Sequence, residues 1–402
     1  MYLQRSSEPR LDRYLQLFPA VAITGPRQSG KTTLVRSHLP ACPYVSFDDV
    51  EEARAAEADP RGFLARFPDR VILDEAQRVP TLIPYLKLEI DRERERKGRF
   101  ILTGSNQFAL TRRLTESLAG RIGLLTLLPF ERGELPEAAR SSQVVFGSYP
   151  ELATRGYEGA KEWFSSYVGT YLERDVRAVH GLGRLGDFLD LLKLLAVRTS
   201  QEYNASSLGR DLGIDSKTVE AWVSVLEASY ILFRLRPYYA NLGKRLVKRP
   251  KLYFWDTGLL CHLAGLRNVE ALEEGPLGGP VFENFVIAEI LKGSLHRGRD
   301  LEAHFFRESN GLEADLVLQD REAGTTFVLD IKSGKTAKES FLAPLERIAT
   351  MLSAKRQPTG ACPDAIRNAV IYRGEDKPEW PRQYCDFRNY EAFIERYQER
   401  SQ

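Results

Sequence analysis

A glycine-rich loop between an apolar strand and a helix is the feature that most constrains how this chain folds. The stretch GPRQSGKTT occupies residues 25–33, after the apolar AVAIT and before the helix-forming LVRSHL. It fits the pattern G-x-x-x-x-G-K-[ST], in which backbone N–H groups at a helix N-terminus surround an anion. This strand–loop–helix pattern therefore predicts an α/β fold with a parallel sheet and a phosphate-binding loop at the end of its first strand.

The residues of this loop have separate expected roles. Lys31 is expected to reach the β- and γ-phosphates of a nucleotide, and the hydroxyl of Thr32 to hold Mg²⁺. The other predicted nucleotide-binding positions of the loop are Gly25, Pro26, Arg27, Gln28, Ser29, Gly30 and Thr33. The loop thus predicts a nucleotide with Mg²⁺ as the ligand.

Polar residues follow two further apolar strands. RVIL ends in Asp74 and Glu75. We expect the first acid to hold Mg²⁺ through water and the second to polarise the water that attacks the γ-phosphate. RFILTGSNQ has the same pattern of an apolar strand followed by polar residues. Ligands of open α/β sheets bind at the carboxyl ends of the strands. Either Ser105 or Asn106 is therefore expected at the γ-phosphate, and the sequence does not choose between them.

Arg121 lies between the helix FALTRRLTESL and the next strand. Two interpretations stay open. It is a surface cation, or it is an arginine finger that neutralises charge developing on the nucleotide of a neighbouring subunit.

Composition narrows the class of protein. A chain of 402 residues is expected to hold about two to four domains. The net charge of +2 excludes an argument from overall basicity, so any nucleic-acid contact must come from local patches. No apolar run reaches the roughly 18 residues of a membrane span, and no signal peptide is recognisable at the N-terminus. The four cysteines are widely spaced, which argues against a zinc site or a disulfide framework. We therefore expect a cytoplasmic protein without membrane contact.

Several motifs taken together resemble a known family. GPRQSGKTT, ILDEAQ, LTGS and SLAGR, in this order, are similar to the AAA-type ATPases of bacteria and archaea, which are P-loop NTPases. YLERDV, KLYFWDTGLL and VFENFV resemble the branch of that family whose C-terminal half is a domain of unknown function. The resemblance covers nearly the whole chain. It implies ATP binding and hydrolysis and a ring or another homo-oligomer, but no particular cellular substrate.

The middle of the chain is expected to form two small domains after an ATPase core of residues 1–128. Residues 129–189 predict a helical lid over the nucleotide. Residues 190–256 contain NASSLGRDLGIDSKTVEAWVSVLEA, the pattern of a helix-turn-helix, followed by two strands expected as the wing of a winged helix.

The predicted wing is locally basic. Between Ser229 and Trp255 there are seven basic residues and no acid, interleaved with aromatic residues. The basic residues are Arg234, Arg236, Lys244, Arg245, Lys248, Arg249 and Lys251. Such a patch predicts contact with the phosphate backbone of DNA. The alternative is a winged helix that serves only protein–protein contact.

Residues 257–402 predict a helix, three strands, a helix and a strand. Asp315 opens one strand, and Asp330 and Lys332 stand two apart in another, so they share a face. This order with D…D-x-K resembles the PD-(D/E)xK nuclease superfamily. The resemblance implies that Glu283, Asp315 and Asp330 hold one or two Mg²⁺ ions, while Lys332 stabilises charge or orients the nucleophile. A degenerate nuclease-like fold kept for assembly or DNA binding is the alternative.

The sequence as a whole predicts an ATP-hydrolysing enzyme that acts on DNA, and it leaves nuclease activity open. The alternative from another class is a signalling or regulatory ATPase whose winged helix and inactive nuclease-like domain serve only protein–protein assembly.

Overall fold

The computed structural model describes residues 2–104, 117–172, 185–238, 249–308, 311–354, 365–379 and 385–399. The two candidates for the γ-phosphate contact, Ser105 and Asn106, lie outside these ranges. Within them, the strands form one sheet of five and one sheet of seven.

The first sheet is parallel throughout, in the order β2-β3-β4-β1-β5. Its strands are β1 Ala20–Thr24, β2 Tyr44–Ser46, β3 Val71–Asp74, β4 Phe100–Thr103 and β5 Ile122–Thr126. Every residue of β1, β3 and β4 is buried, as expected for strands that helices cover on both faces. The predicted parallel sheet is confirmed, and β1 lies between β4 and β5 in its interior.

Helices connect these strands and cover the sheet. They are Glu8–Leu17, Lys31–His38, Val50–Ala58, Pro60–Ala65 and Ile83–Arg92, with 3₁₀ turns at Ala76–Arg78 and Pro80–Leu82. Leu11, Leu34 and Val35 pack on one face, and Phe63, Leu86 and Ile90 pack on the other. The two apolar layers fix the carboxyl edge of the sheet, where β1 leads into the glycine-rich loop.

Short helices follow the first sheet. They are Glu137–Arg140, Gln143–Phe146, Pro150–Thr154, Ala160–Tyr167, Leu185–Val197, Ala205–Leu212 and Ser216–Ala228, with a 3₁₀ turn at Arg132–Glu134 and a π turn at Val168–Leu172. The side chain of Asn204 accepts hydrogen bonds from the N–H groups of Ser206 and Ser207 and so begins one helix. Gly213 ends that helix at a φ of 67°. The last two helices lie where the sequence predicts the helix-turn-helix.

The second sheet has the order β12-β11-β10-β9-β8-β6-β7. Its strands are β6 Leu232–Pro237, β7 Lys251–Phe254, β8 Leu301–Arg307, β9 Glu313–Asp320, β10 Thr325–Lys332, β11 Ala365–Tyr372 and β12 Cys385–Asn389. Arg236 pairs with His304 and Pro237 with Phe305. The antiparallel pair β6/β7, which the sequence predicts as a separate wing, therefore continues the sheet of the C-terminal strands. Along the chain, the predicted domain boundary at 256/257 falls between β7 and β8. It therefore separates strands that belong to one sheet.

Helices Thr257–Leu263, Val269–Glu274, Gly278–Arg297, Leu342–Ala354 and Tyr390–Glu399, with a 3₁₀ turn at Glu339–Phe341, complete the described C-terminal part. The helix Gly278–Arg297, called the long helix below, contacts β7 and β10 of the second sheet and β5 of the first. Its buried apolar residues, among them Phe282 and Phe285, join one hydrophobic cluster with Trp222, Phe254 and Ile394. The long helix thus packs against both halves of the molecule.

None of the helices in the described part of the chain combines the length and the apolar composition needed to cross a membrane.

Candidate functional site

The glycine-rich loop has the backbone conformation that its two motif glycines permit. Gly25 has a φ of 145°, and a Cβ there would lie 2.0 Å from the carbonyl oxygen of Leu127. Gly30 has a φ of 91° and precedes the helix Lys31–His38. Both positions therefore require glycine. The ammonium of Lys31 donates to the carbonyls of Gly25 at 3.1 Å and Pro26 at 2.7 Å, which holds it across the loop.

Asp74, at the end of β3, is the centre of a hydroxyl cluster. The hydroxyl of Thr32 lies 3.1 Å from each of its carboxylate oxygens, and the hydroxyl of Tyr44 donates to it at 2.7 Å. Thr103, at the end of β4, also donates to Asp74. Burial, followed by the hydrogen bond to Asp74, raises the pKa of Tyr44 to about 12. A hydroxyl beside a buried carboxylate is a donor set that suits Mg²⁺, so Thr32 and Asp74 fit the predicted metal.

Glu75 is the first residue after β3 and has a left-handed backbone, with φ 55° and ψ 41°. Such a conformation costs a non-glycine residue about 1–3 kcal/mol and is common at functional sites. Its N–H lies 3.4 Å from the hydroxyl oxygen of Thr103, and Gln77 donates a hydrogen bond to its carboxylate. The turn places Glu75 in the lining of the same cavity as Lys31 and Thr32.

That cavity has a volume of about 500 Å³. Of the predicted loop residues, its lining includes Arg27, Gln28, Gly30, Lys31, Thr32 and Thr33. The carbonyls of Gly25 and Pro26 contact Lys31 instead, and the carbonyl of Ser29 accepts a hydrogen bond from Arg5. Two further segments close the cavity: the N-terminal residues Tyr2, Leu3 and Arg5, and the residues Phe130, Pro150, Glu151 and Thr154 from the predicted lid. Sequence reasoning missed the N-terminal segment because no motif marks it.

Arg121 lies at the other edge of the first sheet. Since Ala20 pairs with Ile122 in parallel register, Arg121 precedes the amino end of β5, whereas the loop follows the carboxyl end of β1. Its guanidinium binds Asp91 through Nε at 2.6 Å and Nη2 at 3.2 Å. It is therefore remote from the nucleotide cavity of its own chain. The ion pair favours the surface-cation interpretation, and action on a neighbouring subunit stays a prediction.

A second polar site lies on the interior strands β9 and β10 of the second sheet. Asp315 in β9 accepts a hydrogen bond from the N–H of Ile331 at 2.8 Å. The ammonium of Lys332 lies 2.8 Å and 2.7 Å from the two carboxylate oxygens of Asp330. All three side chains line an open groove of about 680 Å³ that also includes Arg347. The β9/β10 pairing thus places Asp315, Asp330 and Lys332 together.

Glu283 lies on the long helix and has two partners that the sequence does not indicate, Tyr253 and Lys251. Tyr253 donates to its carboxylate at 2.6 Å, and the ammonium of Lys251 lies 3.4 Å from it. Lys251 also contacts Glu313 at 2.9 Å. Burial disfavours the charge of Lys251, but the carboxylates of Glu283, Asp315 and Glu313 raise its pKa above the ordinary value. Lys251, predicted as a DNA contact, is a buried counter-ion of this cluster.

The cluster has more acidic than basic side chains. Burial and the charge of Asp315 raise the pKa of Glu283 to about 8 and that of Asp330 to about 7. Carboxylate oxygens are the ligands that hard divalent cations prefer, so the donor set fits a metal in chemical type. However, no group of three or more His, Cys, Asp or Glu side chains in the described ranges is arranged to hold an ion. A metal would have to replace the ammonium of Lys332 on Asp330.

The predicted basic patch is partly neutralised within the chain. Arg234 contacts Glu220 at 2.7 Å and Glu227 at 2.9 Å. Lys251 belongs to the cluster above, while Lys244, Arg245 and Lys248 lie outside the described residues. Of the predicted seven, the described part of the chain thus leaves Arg236 and Arg249 exposed. Counting charged residues between Ser229 and Trp255 does not reveal the acids that neutralise them. These acids come from other segments, among them the preceding helix Ser216–Ala228 and the long helix.

The interleaved aromatic residues of β6 and β7, together with the adjoining Trp255, pack in or against the hydrophobic core. Tyr253 and Phe254 are buried, and Phe233 stacks on Tyr253 with ring centres 5.5 Å apart. Phe233 also packs against Trp255 at 4.4 Å. These rings stabilise the β6/β7 pair, so they are not available to stack on nucleic-acid bases.

The phosphate loop, the strand-end acids and the parallel sheet together form the core of a P-loop NTPase. Residues 17–135 match the family model described as an AAA domain. Residues 138–270 and 278–389 match two domains of unknown function, DUF8612 and DUF4143.

Curated relatives extend this match along the chain. The sequence is 32% identical over 335 residues to the uncharacterized protein Rv2008c of Mycobacterium tuberculosis, a match that covers 83% of this chain and 74% of that protein. The uncharacterized protein Mb2031c of Mycobacterium bovis matches with the same values. The chain belongs to the family of these mycobacterial proteins.

Two solved structures show partial similarity to this chain. The Walker-type ATPase PABY2304 of Pyrococcus abyssi is 17% identical, with a TM-score of 0.45 over 64% of this chain and 94% of that chain. The RuvB Holliday junction branch migration motor of Thermotoga maritima is 19% identical, with a TM-score of 0.27 over 57% of this chain and 88% of that chain.

Proposed function

We propose that this ATPase couples ATP turnover to an action on nucleic acid, and that its C-terminal groove is a metal-dependent phosphodiesterase site. The observation that carries the proposal is the grouping of Asp315, Asp330 and Lys332 in one open groove, with the half-buried Glu283 on the adjoining long helix. The combination of acids and an ammonium on one face is suited to a phosphate ester, because the acids attract a cation and the ammonium attracts the phosphate.

At the nucleotide cavity, each side chain has a distinct task. Lys31 leaves the loop carbonyls and binds the phosphates, and Thr32 and Asp74 supply oxygen donors for Mg²⁺. Glu75 accepts a hydrogen bond from the attacking water and takes its proton as the water oxygen bonds to the γ-phosphorus and ADP leaves. The strained backbone at Glu75 supports this role because it directs the residue into the cavity.

At the groove, each residue would also have its own role. A divalent metal bound there would supply an activated water and neutralise charge on the phosphate. Asp315 and Asp330 would hold it, with Glu283 as a further acid from the long helix. Lys332, released from Asp330, would donate a hydrogen bond to the phosphate oxygen on which charge develops. Arg347 is exposed in the wall of the groove and would contact a neighbouring phosphate of the strand.

The middle domain would guide the nucleic acid to this groove. We assign helices Ala205–Leu212 and Ser216–Ala228 and the β6/β7 pair to a winged helix. Lys217, Arg236 and Arg249 are exposed and supply the positive charge for phosphate contacts. Because β6/β7 and the groove belong to one sheet, the position of the wing relative to Asp330 is set by strand pairing.

The test uses the full-length protein on labelled branched, single-stranded and duplex DNA with Mg²⁺ or Mn²⁺, with and without ATP. We expect cleavage by the wild type, none by Asp330→Asn, and ATP hydrolysis at the wild-type rate by Asp330→Asn. Asp300→Asn, an exposed acid just before β8, is the matched control and is expected to cleave normally. Cleavage by Asp330→Asn at the wild-type rate would show that the activity comes from elsewhere.

A second candidate is a regulatory ATPase whose C-terminal half serves only protein–protein assembly. It is favoured by the lysines that already neutralise Asp330 and Glu283, and by the ion pairs of Arg234. The two candidates differ in DNA binding, since phosphate contacts release counter-ions and make affinity fall with salt. Full-length protein that binds none of the DNA substrates at low salt would favour the regulatory candidate.

A further inference from the structure

The buried Arg5 lies between the N-terminal segment and the phosphate loop. It is 3% exposed, and it belongs to the lining of the nucleotide cavity. Its Nη1 donates to the carbonyl of Ser29 at 2.9 Å, and its Nη2 donates to the carbonyl of Leu128 at 2.7 Å. Its Nε lies 3.1 Å from the carboxylate of Glu134. One guanidinium therefore joins the loop, the end of the core and the start of the lid.

The bond to Ser29 has a consequence for the next peptide group. In a planar trans peptide the carbonyl and the following N–H point in opposite directions. Because Arg5 holds the carbonyl of Ser29, it fixes the N–H of Gly30 to point away from the guanidinium. Gly30 has no side chain to limit its own rotation, so this external hydrogen bond restricts a peptide that is otherwise free to turn. N–H groups of this loop type are donors to phosphate.

The same arginine is connected to the long helix. Leu128, whose carbonyl accepts from Arg5, donates its own N–H to Nε2 of His296 at 3.1 Å. Nδ1 of His296 lies 3.6 Å from Glu131 and 3.8 Å from Glu134. These contacts are buried, and they join the phosphate loop to the C-terminal end of the helix that carries Glu283 near its other end.

We propose that Arg5 is a positioning residue of the ATPase: it orients the Gly30 N–H for the nucleotide phosphates and ties the phosphate loop to the long helix. The inference concerns nucleotide binding and does not depend on the proposed phosphodiesterase. An arginine is required because three acceptors lie around one planar group, and a lysine ammonium, a point charge on a flexible stem, cannot reach all three at once.

The test compares variants of the full-length protein by titration with a fluorescent ATP analogue and by steady-state ATP hydrolysis. We expect Arg5→Met to weaken nucleotide binding at least about 10-fold, the size of one charge-assisted hydrogen bond. The KM for ATP rises by a similar factor, while kcat at saturating ATP changes by less than about threefold, because ground-state and transition-state binding are lost alike. Arg5→Lys, which keeps the charge, is expected to give an intermediate affinity.

Arg10→Met is the matched control. Arg10 lies on the helix Glu8–Leu17 and donates to the carbonyl of Leu295 of the long helix, but it does not line the nucleotide cavity. We expect this variant to lose thermal stability and to keep wild-type nucleotide affinity. Equal weakening by Arg10→Met and Arg5→Met would assign both to general stability and overturn the proposal. Wild-type affinity in folded Arg5→Met or, if that variant does not fold, in Arg5→Lys would also overturn it.

Discussion

At the scale of single residues, the nucleotide cavity separates binding from chemistry. Lys31 reaches over the loop from the start of its helix, whereas Glu75 lies on the strained turn after β3. The two groups approach the cavity from different elements and are expected to meet different atoms of the substrate. Lys31 meets the phosphates in the ground state, and Glu75 meets the attacking water.

This separation predicts opposite defects. Lys31→Ala is expected to abolish tight ATP binding. Glu75→Gln is expected to bind ATP normally and to lower kcat by about 10²–10⁴-fold, the usual loss when a general base is removed. Equilibrium binding and single-turnover hydrolysis measure the two effects, with the exposed Lys87→Ala as control. Wild-type turnover by Glu75→Gln would remove Glu75 from the mechanism.

How far the sequence predicts this site also depends on individual residues. Gly25, Gly30, Lys31 and Thr32 form a contiguous motif, so their arrangement follows from local backbone conformation. Partners of Asp74 such as Tyr44 and Thr103 come from neighbouring strands. Their hydroxyls give no signal until the strand order is known, because the contact depends on which strands lie side by side.

At the scale of elements, the long helix is the main connection between the two halves. Arg297 near its C-terminal end donates to the two carboxylate oxygens of Glu131 at 2.8 Å and 2.7 Å. Burial alone would raise the pKa of Glu131. The hydrogen bonds and charges of His296 and Arg297 outweigh it and lower that pKa well below the ordinary value of 4.5.

A lowered carboxyl pKa stabilises the folded state above the ordinary pKa, and the contribution is lost as the pH falls. Glu131→Gln is therefore expected to reduce the free energy of unfolding at pH 7 by about 3 kcal/mol, since it leaves Arg297 without its buried counter-charge. The difference from wild type is expected to shrink once the pH is lowered below about 4.5 and Glu131 begins to protonate in the unfolded chain. Urea denaturation at several pH values measures it, with the exposed Glu137→Gln as control. A difference that does not change with pH would contradict the charge-based account.

At the scale of the whole molecule, strand pairing and packing join regions that the sequence presents as separate domains. β6 pairs with β8 across the predicted boundary, and Tyr230 before β6 places its hydroxyl 3.0 Å from that of Thr24 and 3.2 Å from that of Thr126 in the first sheet. Hydrophobic patterns predicted most of the helices and strands. They did not predict that the pair β6/β7 extends the C-terminal sheet, nor that Lys251 lies beside Glu283, because both depend on pairing between distant segments.

If the C-terminal groove is a metal site, Mn²⁺ titration of the full-length protein without nucleotide will detect it. The double variant Asp315→Asn, Asp330→Asn should remain folded, because neutral amides avoid both the cost of burying charge and the repulsion between the acids, which together raise the pKa of Asp330. We expect wild type and the control Asp300→Asn to show one more class of Mn²⁺ binding site than the double variant. The nucleotide site is the same in all three proteins. Identical isotherms for wild type and the double variant would mean that the groove binds no metal and that the ATPase half is the chemically active part.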